Sequence, residues 1–379
     1  MKIKYVGFYD IEGSNSGRTS SLAAIKKMDY VIDVLTRLDY NVEIISPSWI
    51  NDSKCSNEFK TTNVEINNKT NIIYCPSWIS KNKFTKLIKV IFSILWLFFY
   101  LLKNTKKNEK ILVYHSQLLA YPIMLSKFIK KFEVILEIEE IYGLVWKEKK
   151  QFLKMETKLI NVADKYILVS EELKRFLKLK NKENVILYGA YNQVNIKERK
   201  KSDNEAINLV YAGSIDEVKG GAFKSLEIIE KINGNYLLHI LGGGSDNKIN
   251  VLKRRIREIN KKKGKEVSKY VGVLHGREFN EYLKNCDIAL NPQNSGDYMQ
   301  TAFPSKIISY LSHELIVIST PIKSILNSKV KNNIIFTNTD ETMDFIQSIE
   351  SVGDLEKYNK KIISELDEKF KEDIYQLLN

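Results

Sequence analysis

Short apolar runs alternate with amphipathic segments along almost all of this 379-residue chain, and that order most restricts what it can fold into. Ile3 to Phe8, Val42 to Ile45 and Ile111 to Tyr114 are brief apolar runs of the kind that form buried strands. Helical periods lie between such runs. In Ser20 to Leu38, the residues Leu22, Ile25, Met28, Val31, Ile32 and Leu35 share one face. The alternation continues through strand Phe132 to Ile138, helix Phe152 to Ala163, strand Lys165 to Val169, helix Glu171 to Leu179 and strand Val185 to Leu187. Strands separated by helices pair in parallel, with helices covering the sheet. The order breaks at Glu198 to Glu205 (ERKKSDNE), which is charged and free of apolar residues. A second series follows: strands Ile207 to Tyr211, Tyr236 to Leu241 and Val271 to Leu274, alternating with helices Ala222 to Ile232, Lys248 to Lys263 and Phe279 to Lys284. The expected class is α/β with two Rossmann-like domains, 1–197 and 206–353, facing a cleft. A helical segment, 354–379, is expected to pack back on the first domain. Residues 51–70 are polar and read as a loop or weak hairpin.

A length of 379 residues supports two full cores. The net charge of +13 admits nucleic acid, an anionic membrane surface or an anionic small substrate as partner. The lysines are dispersed and no nucleic-acid module signature is present, so nucleic acid is not expected. Cys55, Cys75 and Cys286 lie far apart without metal-ligand spacing. Neither a disulfide framework nor a metal site is expected, and a reducing cytoplasm fits.

Phe84 to Leu102 (FTKLIKVIFSILWLFFYLL) stands apart. Its uninterrupted apolar part, Val90 to Leu102, spans about 20 Å as a helix, short of a bilayer crossing. Trp96, Phe98 and Phe99, with lysines before and after, suit a helix lying in a membrane interface. A core helix is the alternative.

Candidate chemistry gathers at strand carboxyl ends. Gly13 sits in the loop after the first strand, His115 directly ends another, and Glu140 follows Ile138. In the second half Ser214, Lys219, Gly243 and Arg277 hold corresponding places. Asn291 to Thr320 reads strand, loop, helix, strand, with Ser305 as N-cap and Lys306 in the first helical turn. A cation there opposes the helix dipole, so it makes most sense facing an anion. Lys219, Arg277 and Lys306, with glycine-loop N–H groups, could neutralise a diphosphate. His115 is a candidate polar catalyst.

YAGSIDEVKGG before a helix, ILGGGSD, VGVLHGREFNEYLKNCDIALNP and FPSKIISYLSHELIVIST occur in that order. They resemble the C-terminal domain of retaining GT-B glycosyltransferases of the GT4 kind. VYHSQLLAYP, VILEIEEIYG, ADKYILVSEELKRFL and ILYGAYN are similar to the family's N-terminal half. The resemblance implies a nucleotide-sugar donor, UDP- or GDP-linked, held by the C-terminal domain. It implies an acceptor on the N-terminal side, near Glu140, and no cofactor or metal. It matches His115 to the histidine near the donor sugar and Lys219 to the lysine gripping the diphosphate. Ser305 and Lys306 match the helix start beside phosphates and ribose, Gly13 the loop facing the phosphates, and Arg277 the region where the base is read. The chain departs from the family at Thr301 and Ser309, where many members carry paired glutamates, and at Ser214, where many carry arginine. The expected function is sugar transfer to a lipid-linked saccharide at the inner membrane face, in bacterial surface polysaccharide (capsule-type) biosynthesis. A noncatalytic partner subunit and a nucleotide-sugar epimerase are the alternatives.

Overall fold

The computed structural model describes residues 1–14, 16–52, 55–142, 150–179, 181–195, 205–216, 220–293, 301–339, 341–352 and 359–379. The charged segment 198–205, apart from Glu205, and Lys219 lie outside the described residues. The chain divides into two units. One comprises 1–169, 173–190 and 368–379; the other comprises 170–172 and 191–367.

The first unit is built on an eight-stranded sheet in the order β3-β4-β2-β1-β5-β6-β7-β8. Its strands are β1 (Lys2–Val6), β2 (Asn41–Ser46), β3 (Thr62–Asn67), β4 (Thr70–Tyr74), β5 (Lys110–Tyr114), β6 (Glu133–Ile138), β7 (Lys165–Leu168) and β8 (Asn184–Ile186). All neighbours pair in parallel except β3 with β4. Ile44, Leu112 and Val134 are fully buried, as strands covered on both faces require. The polar stretch expected to be loop or weak hairpin contains a formed hairpin. Val64 lies opposite Ile72, and β3 is a largely exposed edge strand, which its polar sequence tolerates.

Helix α1 (Leu22–Arg37) packs on this sheet, followed along the chain by α2 (Lys83–Asn104), α3 (Ala120–Lys130), α4 (Lys150–Val162) and α5 (Glu171–Phe176). α2 begins with a capping box: Asn82 accepts the Thr85 N–H, and Thr85 accepts the Asn82 N–H. This start lengthens the helix beyond its apolar run to 22 residues. By length and composition it is sufficient to cross a membrane, which corrects the shorter span expected above.

The second unit holds a six-stranded parallel sheet, β11-β10-β9-β12-β13-β14. The strands are β9 (Ile207–Ala212), β10 (Tyr236–Leu241), β11 (Ser268–Gly272), β12 (Ile288–Asn291), β13 (Ile316–Ser319) and β14 (Ile334–Phe336). β11 starts three residues before the apolar run expected to form it. Backbone bonds from Leu238 to Val267 and from Gly242 to Gly272 fix this register, leaving Val273 exposed beyond the sheet. Helices α6 (Gly221–Lys231), α7 (Asp246–Lys263), α8 (Gly276–Leu283), α9 (Lys306–Ser312), α10 (Lys323–Leu326) and α11 (Thr342–Glu350) connect the strands. The core joins Leu226, Ile240, Leu252, Leu290 and Phe345. A last helix, α12 (Asn359–Leu378), contributes its end to the first unit: Phe370 packs on Tyr30, and Lys165 donates to the Leu377 carbonyl at 2.8 Å.

Candidate active site

In the second unit, β9 and β10 end side by side and their loops are stitched together. Gly213 N–H donates to Leu241 O (3.0 Å) and Ile215 N–H to Gly243 O (2.8 Å). A side chain would not fit here. A Cβ on Gly242, whose φ is +128°, would stand 1.9 Å from the Gly213 carbonyl oxygen. A Cβ on Gly244 would stand 2.5 Å from the Ile215 oxygen.

The start of α9 joins this pair of loops. The Tyr310 hydroxyl accepts the Ala212 N–H at 2.7 Å, pinning the helix to the end of β9. The Lys306 ammonium lies 4.1 Å from the centre of the Tyr211 ring, a cation–π distance. It is also 3.4 Å from where a Cβ on Gly213 would be. Tyr211 in turn donates to Ser214 O at 3.1 Å. Thus Ser214, Gly243 and Lys306 are drawn together at the ends of β9 and β10, and the Lys306 ammonium is a group that suits a diphosphate. The Ser214 hydroxyl is committed to Asp216 at 2.5 Å.

Two expectations change in detail. Ser305 occupies the cap position but does not cap with its side chain. Its backbone is already helical (φ −54°, ψ −23°), and the turn opens with Ile307 N–H donating to Pro304 O at 2.9 Å. Arg277 is exposed in the first turn of α8. Thr301 is buried and its carbonyl accepts the Ser170 hydroxyl (2.7 Å), while the Ser309 carbonyl bonds His313 Nδ1 (2.6 Å). Neither position supplies a carboxylate.

In the first unit, His115 follows β5 directly, and its N–H extends the ladder to Glu137 O at 2.9 Å. Its side chain is 2% exposed and stacks on Tyr142, with ring centres 5.4 Å apart. Nε2 is 3.5 Å from the Glu156 carboxylate of α4, which accepts the Tyr142 N–H at 2.8 Å. Burial pushes the imidazole down to about 4, opposed by the backbone of Glu140. His115 is therefore neutral near pH 7. Neither ring nitrogen has a well-formed hydrogen bond among the described residues, an unusual state for a buried imidazole and one that suits a ligand-facing group.

The next strand supplies a buried acidic cluster. Glu137 accepts from the Tyr5 hydroxyl. Glu139 pairs with Lys27 at 2.5 Å, and Lys27 also donates to Leu187 O at 2.6 Å. Glu140, half-buried, follows at the same end of β6. Glu137 is pushed up to about 7, first by burial and then by the charge of Glu139. A raised carboxyl favours the fold while protonated, so its contribution is present below pH 4.5 and is lost as pH rises through about 7. Glu137→Gln keeps an acceptor for Tyr5 and removes this loss. The variant is expected to outlast the wild type at pH 8 and to match it near pH 5 in urea unfolding. An unchanged pH dependence would show that Glu137 does not titrate there.

Gly13 forms the exposed tip of a loop, with φ at +77° and open space where a Cβ would go. Asp10 organises that loop, accepting from Ser14 (2.9 Å), Ser16 (2.5 Å) and Tyr74 (3.0 Å). Arg18 braces it from below, bonding the carbonyls of Ser48 (2.6 Å) and Cys75 (3.0 Å). The sequence by itself does not single out Asp10, Arg18, Glu137, Glu156, Tyr211 or Tyr310. EIEEIYG at a strand end was the one visible signal among them. On α2, Trp96 and Phe98 are half-buried and only Phe99 of the three faces outward; the Trp96 indole donates to Thr61 Oγ1 at 3.0 Å.

The family model for glycosyl transferases group 1 matches residues 206–354. This stretch is a group 1 glycosyltransferase domain. It contains the stitched glycine loops and Lys306. The whole chain has the GT-B fold, as solved structures show. Sucrose-phosphate synthase of Thermosynechococcus elongatus superposes with a TM-score of 0.70 at 13% identity, covering 100% of this chain and 95% of that one. Anabaena HepE in complex with UDP and glucose gives 0.63 at 13% identity, covering 100% and 99%. The lipopolysaccharide outer core galactosyltransferase WaaB gives 0.57 at 14%, covering 99% and 98%. No curated protein matches by sequence.

Proposed function

We propose that this chain is a glycosyltransferase that moves a hexose, with retention, from a UDP- or GDP-sugar to a lipid-linked saccharide at the inner face of the cell membrane, in bacterial surface polysaccharide biosynthesis. The observation that carries the reading is the seat formed by the β9 and β10 loops with Lys306 over Tyr211. The bond from the sugar's anomeric carbon to the diphosphate oxygen breaks, a bond to the acceptor oxygen forms, and the acceptor hydroxyl's proton leaves with the departing diphosphate. The departing nucleoside diphosphate gains negative charge, so donors aimed at it are the main catalytic demand. Lys306 meets that demand, with Lys219, outside the described residues, as the second cation. Neutral His115 acts as a polar group toward the sugar and Glu140 lies on the acceptor side. HepE, bound with UDP and glucose, supports UDP as the base carrier. WaaB, a lipopolysaccharide galactosyltransferase, and the apolar helix α2 support a lipid-linked acceptor and a peripheral membrane location.

Thermal-shift titration with UDP-, GDP-, CMP- and dTDP-sugars tests this. One donor class is expected to raise Tm by a few degrees at saturating concentration, as linkage predicts for a chain of this size. Lys219→Ala and Lys306→Met are each expected to weaken that donor about tenfold or more. Thr301 and Ser309, in place of paired glutamates, favour the second reading, a noncatalytic partner subunit. A folded protein that shifts with no nucleotide would overturn the transferase reading and leave that one.

A further inference from the structure

Helix α2 has its polarity reversed. Its buried stripe, spaced four residues apart, is Lys89, Ser93, Leu97 and Leu101. Lys89 is 1% exposed, and its ammonium donates to the carbonyls of Ile50 and, at 2.9 Å, Trp78. Ser93 donates to the Pro47 carbonyl. The opposite face carries Phe84, Leu87, Ile88, Ile91, Leu95 and Phe99, all exposed, with Phe99 at 63%. A helix on a water-facing surface shows the reverse arrangement. Burying an ammonium and a hydroxyl is costly unless each is bonded. Here each is, so the polar groups are satisfied inward and the apolar ones are left outward.

Helix α3 packs beside α2 and extends the face with Tyr121, Leu125, Phe128 and Ile129. Phe128 is 83% exposed. Leu125 and Phe128 also border an open basin of about 1050 Å³, whose lining mixes Met124, Phe132 and Val162 with lysines and with Glu133, Asp164 and Glu183. Exposed apolar side chains gathered on two packed helices mark an interaction site. Exposed lysines rim it: Lys83 and Lys86 at one end of α2, Lys103, Lys106 and Lys107 at the other, and Lys131 after α3.

We propose that the α2–α3 face lies in the plane of an anionic phospholipid bilayer, its apolar side chains among the acyl chains and its lysines on the headgroups. This deepens the membrane location proposed above and rests on it. Charge selects the occupant. A second copy placed on the same face by a twofold axis would set one lysine rim against the other. Anionic headgroups neutralise the rim instead. Lys89 selects the orientation. A spanning α2 would leave its carbonyl partners and carry an ammonium into hydrocarbon.

Flotation of the full chain with vesicles tests the proposal. Binding is expected to phosphatidylcholine vesicles containing phosphatidylglycerol, to be much weaker with phosphatidylcholine alone, and to be reversed by alkaline carbonate. Leu95→Ser, Phe99→Ser and Phe128→Ser each remove an exposed apolar group, so folding is retained. Each is expected to lower the partition coefficient about tenfold. Val273→Ser, an exposed apolar position on the other unit, serves as the control and is expected to change nothing. Absence of flotation, flotation indifferent to these three variants, retention after carbonate, or a dimer that Leu95→Ser dissolves would each overturn the proposal. UDP binding measured on the same preparations separates the two readings. UDP binding without flotation removes the membrane face alone; flotation without nucleotide binding keeps the face and removes the transfer reading.

Discussion

Gly242→Ala is expected to destabilise the second unit by about 4 kcal/mol or more, at the far end of the range for single substitutions. The added Cβ would lie 1.9 Å from the Gly213 carbonyl oxygen and 2.8 Å from its carbon. Both are backbone atoms, so no rotamer change can make room. The φ of +128° adds strain for any L-residue. Relief requires β9 and β10 to part at their ends, which breaks the bonds from Gly213 to Leu241 and from Ile215 to Gly243. Those bonds hold the loop beside Lys306 in place, so any folded fraction should also bind nucleotide poorly. Gly264→Ala supplies the comparison. It has φ +68° and no atom within 4 Å of its would-be Cβ, and it closes α7 as a left-handed cap. Its expected cost is about 1 kcal/mol. Urea unfolding of both variants decides the matter, and similar losses would mean that the close approach at Gly242 is not a constraint.

His115→Ala should lower turnover of the donor by about 100-fold to 10,000-fold, the range for removal of one positioned polar catalyst. Donor affinity should change little, because the proposed nucleotide seat belongs to the second unit's loops and Lys306. Turnover by product assay, with affinity by calorimetry, separates these quantities; a loss confined to affinity would assign His115 to binding. The pH dependence adds a second readout. The folded imidazole titrates at about 4, below the ordinary 6.5. A depressed imidazole favours the fold while neutral, so its contribution is full above pH 6.5 and is lost as pH falls toward 4. An activity profile between pH 6 and 8 should therefore show no step from His115. A wild-type step near 6.5 that vanishes in His115→Ala would mean that the ring is solvated and charged in the working enzyme.

The alternation of strands and helices was legible because buried parallel strands must be short, apolar and separated by amphipathic helices. Ile111 to Tyr114 and Tyr236 to Leu241 are examples with no ambiguity. β11 was misplaced because an edge strand needs few apolar residues, so Val271 to Leu274 attracted the assignment from Ser268–Gly272. The hairpin partner β3 is polar for the same reason. The strand-end positions of His115, Gly13, Ser214, Gly243 and Lys306 followed from the order of elements, since each lies just past an apolar run or at a helix start.

Residue order was enough to establish two parallel-sheet α/β domains, their glycine-bearing loops and an unusually apolar helix, because periodicity and turn chemistry are local. Partnerships across sequence were settled only by tertiary packing. Tyr310 reaches Ala212, Lys306 lies over Tyr211, and Glu156 faces His115, pairs separated by many residues that only folding brings together. Packing also decided which side of α2 is buried. From composition its lysines belonged in water and its aromatics were the expected contact, yet Lys89 is inside and Phe99 outside. Carbonyls from Pro47, Ile50 and Trp78, each belonging to other parts of the chain, satisfy the polar stripe and so permit the inversion.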